Sequence, residues 1–130
     1  MNLTPQPHGR NNSNNQAVSS LTPIEDGQQR LWFASGGYDK RIYIWDCSER
    51  GRNPVIKDVR FVHNSFVSAL AYRKVDHCLL SAAGSRVYET NLGGMRPPKD
   101  TRLSNNIHQI HTHPQDPNLI FMEVRVPSIL

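Results

Sequence analysis

The stretch FASGGYDKRIYIWD (33–46) decides how the rest of the chain is read. It joins the end of one apolar run, LWFAS (31–35), to another, RIYIW (41–45), across a Gly-Gly-Tyr-Asp-Lys break. Aromatic and β-branched residues crowd both runs, and such side chains suit a pleated, half-buried surface. Two short strands about a turn follow. The same grammar continues outward: VIKDVRFV (55–62), FVSALAY (66–72), HCLLSAA (77–83), SRVYET (85–90) and LIFMEV (119–124) each read as a strand. One segment offers a rival reading. Val55, Val59, Val62, Phe66 and Leu70 recur at helical spacing, with no Gly or Pro between 55 and 75. The density of β-branched residues favours two strands instead, broken at His63, Asn64 and Ser65.

Several short strands with turn signals between them point to an all-β sandwich, barrel or propeller. An internal repeat chooses among these. AVSSLTPIEDG (17–27), FVSALAYRKVD (66–76) and NIHQIHTHPQD (106–116) align. Val18 and Leu21 match Val67 and Leu70, then Ile107 and Ile110. Each unit reaches an acidic turn at Asp26, Asp76 or Asp116, and each turn leads into a further apolar run. The spacing is 49 residues from Val18 to Val67 and 40 from Val67 to Ile107, the longer first unit holding the Arg-rich segment 48–54. A period of about 40 residues built only of strands is the four-stranded blade of a β-propeller. One blade cannot bury both faces of its sheet, so its neighbours supply the core. Pro23 falls inside the first strand of its unit, which a free edge tolerates.

Residues 33–46 resemble the WD-repeat motif: a Ser-Gly strand end, an Asp in the hairpin turn, and an alternating strand closing on Trp-Asp. VHNSFVSALAY (62–72) is similar to the Gly-His opening of that motif, with Val62 where Gly is usual. The resemblance covers about 16–124. Its second unit is degenerate, with Thr90 and Asn91 in the Trp-Asp positions, and its third supplies two strands. The expected fold is therefore all-β, an incomplete WD-repeat β-propeller with four-stranded antiparallel blades. A disordered polar tail is expected at 1–15 and the partial propeller at 16–130, with blade 1 about 16–62, blade 2 about 63–103 and half of a third at 104–124. A closed propeller needs at least about four blades. The chain is thus expected to be a fragment of a larger propeller protein, or to close a ring with another chain.

The resemblance implies structural roles for Ser35, Asp39, Trp45 and His63, which match members of a hydrogen-bonded set within one blade. A carboxylate accepts polar hydrogens, and a buried indole N–H needs a partner. The opening position of the first unit is near Asn14 rather than a His, and the second unit lacks the turn Asp, so neither set is complete. The resemblance also implies a non-catalytic scaffold for protein–protein interaction. Topology alone nominates Tyr38, Lys40, Asn64, Ser65 and Ser85 as partner-binding, on the face of the strand turns and blade-to-blade links.

Composition narrows the alternatives. The chain has 130 residues, 37% hydrophobic and 20% charged, about one domain in size. No apolar run approaches the ~18–20 residues that span a bilayer, so no membrane is expected as a partner. The first residues, MNLTPQPHGRNNSNNQ, lack the apolar core of a secretory signal. Cys47 and Cys78 are too few for a disulfide framework, which favours a reducing intracellular setting, cytoplasmic or nuclear. The net charge of +4 gathers at Arg50, Arg52, Lys57 and Arg60 and at Arg96, Lys99 and Arg102, both groups diluted by acids. Gly93, Gly94, Pro97 and Pro98 mark the second group as a solvated loop. Nucleic-acid association through these basic loops is the rival reading, although they lack the interleaved aromatics that stacking needs. A truncated product without independent function is a third. His108, His111 and His113 read as edge or turn histidines, since no Cys or carboxylate is spaced to complete a zinc site. Asp58, Asp76, Glu89 and Glu123 show no paired-carboxylate pattern, and no nucleophile elbow or phosphate loop is present. No catalytic residue, metal or cofactor is expected.

Overall fold

The apolar, β-branched runs form ten strands among the described residues of a computed structural model, which are 17–25, 27, 30–49, 51–60, 63–94, 97–116 and 118–124. The expected tail at 1–15 lies outside them. β1 (Val18–Ile24), β2 (Trp32–Gly37), β3 (Ile42–Asp46) and β4 (Val55–Arg60) make one antiparallel sheet in sequence order. β5 (Ala69–Arg73), β6 (Cys78–Ala83), β7 (Arg86–Asn91) and β8 (Lys99–Arg102) repeat that order in a second sheet. β9 (Ile107–Thr112) and β10 (Ile120–Val124) pair antiparallel as a third. The sheets stack side by side without closing on themselves.

In the segment with helical spacing, 55–60 is strand β4, 63–68 belongs to no strand and β5 begins at Ala69, while 61 and 62, with the Val62 of that pattern, lie outside the described residues. Two details differ from the sequence expectation. The run FVSALAY enters its sheet only at Ala69, leaving Phe66–Ser68 as the end of a link. Lys99–Arg102, expected in a solvated loop, is the outer strand β8. Its pairing with β7 holds it in place while Lys99, Asp100 and Arg102 stay exposed, so no apolar pattern marked it.

A bulge common to β1 and β9 explains why the repeat pairs of the first and third sheets lie three residues apart in an all-β protein. In a regular strand such a spacing puts two side chains on opposite faces. In β1 the register shifts between Val18 and Ser20, and in β9 Val124 pairs with Ile107 while Glu123 pairs with Gln109. Ser19 and His108 are the extra residues, at matching places in the repeat. A bulge of this kind returns residues three apart to one face. In the second sheet Val67 precedes the regular register of β5, and it shares one buried cluster with Leu70, Ile24, Ala34, Ile42, Ile44 and Leu79. Ile107 and Ile110 share the other, with Ala69, Ala71, Cys78, Leu80, Ala82 and Val87.

Each cluster lies between two sheets, so each sheet covers a face of the one before it. Val67 is 0% and Leu70 8% exposed, and Ile107 and Ile110 are 2% and 5%, whereas the matching Val18 and Leu21 are 52% and 64% exposed. The difference is position in the stack: no described sheet precedes the first. Polar straps reinforce the joints. The Ser19 hydroxyl donates to the Val67 carbonyl, and the Ser68 hydroxyl donates to the Ile107 carbonyl at 2.8 Å. The Val67 amide donates to Gly37 O at 3.0 Å and the Ile107 amide to Gly84 O at 2.9 Å. The first core residue of each following unit is thus held at both its N–H and its C=O. Contact at the first joint is close enough to need a glycine: a Cβ on Gly36 would lie 2.8 Å from Val67 Cβ. Pro23 pairs with Phe33 on β1, the edge strand of its sheet, where a missing amide is tolerated.

Candidate functional site

The turns after β2 and β6 and the links into β5 and β9 gather at one end of the stack. The first turn is tight. Lys40 N donates to Gly37 O at 3.2 Å, Asp39 Oδ1 accepts the Arg41 amide at 3.2 Å, and Lys40 takes φ 70°. This turn lifts Tyr38 to the surface, where its ring stacks on Phe66 with centroids 4.8 Å apart and planes 27° from parallel. Both rings are 42% exposed. Phe66 points outward because its neighbour Val67 is anchored inward through Gly37, and extended chain alternates its side chains. Beside Phe66 a cleft of about 370 Å³ draws on all three sheets, lined by Ser19, Ser65, Ser68, Gly84, Asn106 and His108 among others.

Of the residues nominated from sequence, Tyr38 and Ser65 sit at this cleft or its aromatic border, and Ser85 follows its Gly84 wall. Ser85 O accepts the Leu103 amide at 2.7 Å, which pins that wall. Lys40 and Asn64 are exposed at the same end but do not line the cleft. Phe66, Asn106 and His108 were missed. Phe66 reads as strand core until the strand is seen to begin at Ala69, and Asn106 carries no sequence signal.

The four residues assigned structural roles divide between two sheets. Trp45 Nε1 donates to Ser35 Oγ at 2.9 Å. Asp39 Oδ2 accepts the Tyr43 hydroxyl at 3.4 Å. In the second sheet His63 Nε2 lies 2.8 Å from Ser81 Oγ, the counterpart of Ser35, and its ring meets Tyr88 edge-on at 4.8 Å. The first sheet thus holds the Trp–Ser half of the expected set and the second the His–Ser half. Burial pushes the His63 imidazole down to about 4; Asp100 opposes the shift and Arg86 adds to it.

The other polar groups serve the scaffold. Arg73, 8% exposed, donates to Asp76 Oδ1 from Nε at 2.9 Å and to Oδ2 from Nη2 at 2.8 Å, and it pairs with Glu89 Oε1 at 2.9 Å. Hydrogen bonds from Arg73 hold the Asp76 carboxyl below the usual range. His111 Nε2 contacts Gln109 Oε1 at 3.1 Å and Glu123 Oε2 at 3.4 Å on the outer face of the third sheet. His113 lies past the end of β9, in a turn, and accepts the Gln115 and Asp116 amides at Nδ1. No group of three potential metal ligands occurs among the described residues. Nor does any helix among them have the length and apolarity to cross a membrane.

Solved structures share this arrangement. The β-propeller domain of Cps50 (Swd1) from Myceliophteria thermophila superposes with a TM-score of 0.68 at 18% identity, over 83% of this chain and 31% of that one. A chain of the mitotic checkpoint complex gives 0.68 at 22% identity, over 85% and 32%. The fold is that of β-propeller blades, in a stack that does not close. The chain spans about a third of the length of either propeller chain. Its sheets are propeller blades, with β1, β5 and β9 as the repeated first strands. The sequence matches no protein-family model and no curated protein.

Proposed function

We propose that this chain is a non-catalytic protein-interaction scaffold, a part of a larger propeller, whose partner-binding end carries Tyr38, Lys40, Asn64, Ser65 and Ser85. The observation that carries the reading is the stacked pair of Tyr38 and Phe66. Two large rings left 42% exposed on a fold that can bury aromatic residues elsewhere mark a surface suited to another protein. The propellers it resembles include a chain from a multiprotein complex, which supports a scaffold role. The free thiols Cys47 and Cys78 fit the reducing cytoplasm or nucleus.

A photo-crosslinking residue placed at Tyr38, and separately at Val75 in the 3-10 turn Lys74–Asp76, tests the assignment in cells. Partners are expected to crosslink from position 38 and not from 75. The double change Tyr38→Ser and Lys40→Glu is expected to lower partner capture by about tenfold with the thermal melt unchanged. Equal crosslinking from both positions, or capture indifferent to the double change, removes this face from the account.

A further inference from the structure

The polar lining of the cleft beside Phe66 is Ser19, Ser65, Ser68, Asn106 and His108, and among the described residues no Asp, Glu, Lys or Arg joins them. Two of these hydroxyls have already placed their hydrogens. Ser19 Oγ donates to Val67 O and lies 3.3 Å from Gly36 O. Ser68 Oγ donates to Ile107 O at 2.8 Å and lies 3.3 Å from Ala82 O. A hydroxyl has one hydrogen and two lone pairs, so each oxygen is left as an acceptor. These oxygens suit an incoming N–H, and a carboxylate has none to give. Phe66 adds a ring that is 42% exposed and stacked on Tyr38. Asn106, exposed, adds a carboxamide able both to donate and to accept.

We infer that this cleft receives an uncharged, extended segment of a partner protein, its backbone amides donating to the Ser19 and Ser68 oxygens and an aliphatic side chain resting on Phe66. This rests on the interaction-face reading above and names the chemistry of the partner. Charge complementarity selects the class. A carboxylate entering the cleft meets spent hydroxyls and no lining cation, and an ammonium or guanidinium meets no lining carboxylate. Either leaves a charge desolvated without a partner, which is costly. A peptide amide brings a donor and no charge. The volume, about 370 Å³, is that of a small-ligand pocket and takes a side chain with its flanking amides. A polynucleotide suits the lining less well, because its phosphates need cations.

Fluorescence anisotropy on the whole chain tests the inference with labelled probes: a short peptide alternating Leu and Gln, the same peptide with Glu or with Lys for Gln, its backbone N-methylated form, and single-stranded RNA of mixed sequence. The Leu–Gln peptide is expected to bind at least about tenfold tighter than either charged peptide and to hold its affinity as salt is added. N-methylation, which removes the amide donors and keeps the side chains, is expected to weaken it by about tenfold. Asn106→Lys sets a cation at an exposed lining position. It is expected to raise the affinity of the Leu–Glu peptide by at least about tenfold with the thermal melt unchanged, which separates altered binding from altered folding. A parent protein that prefers a charged peptide or the RNA overturns the inference. So does equal binding of the N-methylated peptide, or binding of none of the peptides. If partners still crosslink from position 38 when the peptides give such a result, the interaction face stands and only the uncharged partner falls.

Discussion

At the residue scale, Ser68 does more than its position in an apolar run announces. Its hydroxyl reaches the Ile107 carbonyl at 2.8 Å and Ala82 O at 3.3 Å, tying the second blade to the third. Ser68→Ala is expected to cost about 1–2 kcal/mol in urea unfolding, since the carbonyl it served loses a partner. His63 predicts a pH dependence. The folded imidazole titrates near 4 and the unfolded one near 6.5, so the unfolded chain takes up the proton first as pH falls. Stability contributed by neutral His63 is full above about 6.5 and is lost progressively down to about 4. The loss is up to about 3 kcal/mol, less where water screens the half-buried ring. Chemical unfolding across that window is expected to slope for the parent and to flatten for His63→Gln. Trp45, Ser35 and His63 could be singled out from sequence through the motif that the chain resembles, and the need of a buried polar atom for a partner is the physical reason such a set exists. The Ser19 and Ser68 straps were not legible, because a serine among apolar residues looks the same whether it bonds within its strand or to the next sheet.

At the scale of the element, the strands most readable in the sequence were those with an apolar face to bury. β3 reads directly as alternating Arg-Ile-Tyr-Ile-Trp, and β6 as a continuous apolar run buried throughout. β8, with the sequence Lys-Asp-Thr-Arg, has only its ladder to declare it and was legible only through the repeat. The bulges at Ser19 and His108 left a visible trace, the spacing of three, whose cause needed the register. The repeat also explains the buried ion pair. Ile24 and Ile44 of the first sheet occupy the places that Arg73 and Glu89 hold in the second, so a charged pair stands in for an apolar one. Arg73→Ala is expected to destabilise by about 3 kcal/mol, since it leaves a largely buried carboxylate with only the exposed Lys99, 3.9 Å away, as its cation. Replacing both, Arg73→Ile with Glu89→Ile, is expected to recover most of that loss, because an isoleucine pair already fills the matching place. Calorimetry on the single and double variants measures the recovery; a double variant no more stable than Arg73→Ala removes the equivalence.

At the scale of the whole molecule, the two ends of the stack are unlike. On the first sheet, Phe33 and Trp45 stack with centroids 5.9 Å apart and planes 7° from parallel, beside the exposed Leu21. Phe33 alternates with Trp32 and Ala34, which face the second sheet, so the stacked pair faces away from it. The matching outer face of the third sheet is polar, carrying Gln109, His111 and Glu123 in mutual contact around an exposed Phe121. An apolar face at one end and a hydrogen-bonded one at the other make poor complements. Head-to-tail association of copies is therefore disfavoured. The cleft beside Phe66 belongs to the same scale. It exists because a turn of one blade meets the opening link of the next, which no single segment of sequence displays.

The account turns on each blade hiding the repeat residues of the next, with the first blade's left open. Single cysteines at the three matching positions, Val18→Cys, Val67→Cys and Ile107→Cys, in a chain with Cys47→Ser and Cys78→Ala, measure this through the rate of native-state thiol labelling. Labelling at 18 is expected to run near the unfolded rate, with 67 and 107 protected by at least about a hundredfold. Equal rates at all three positions, or protection of 18 alone, contradict it.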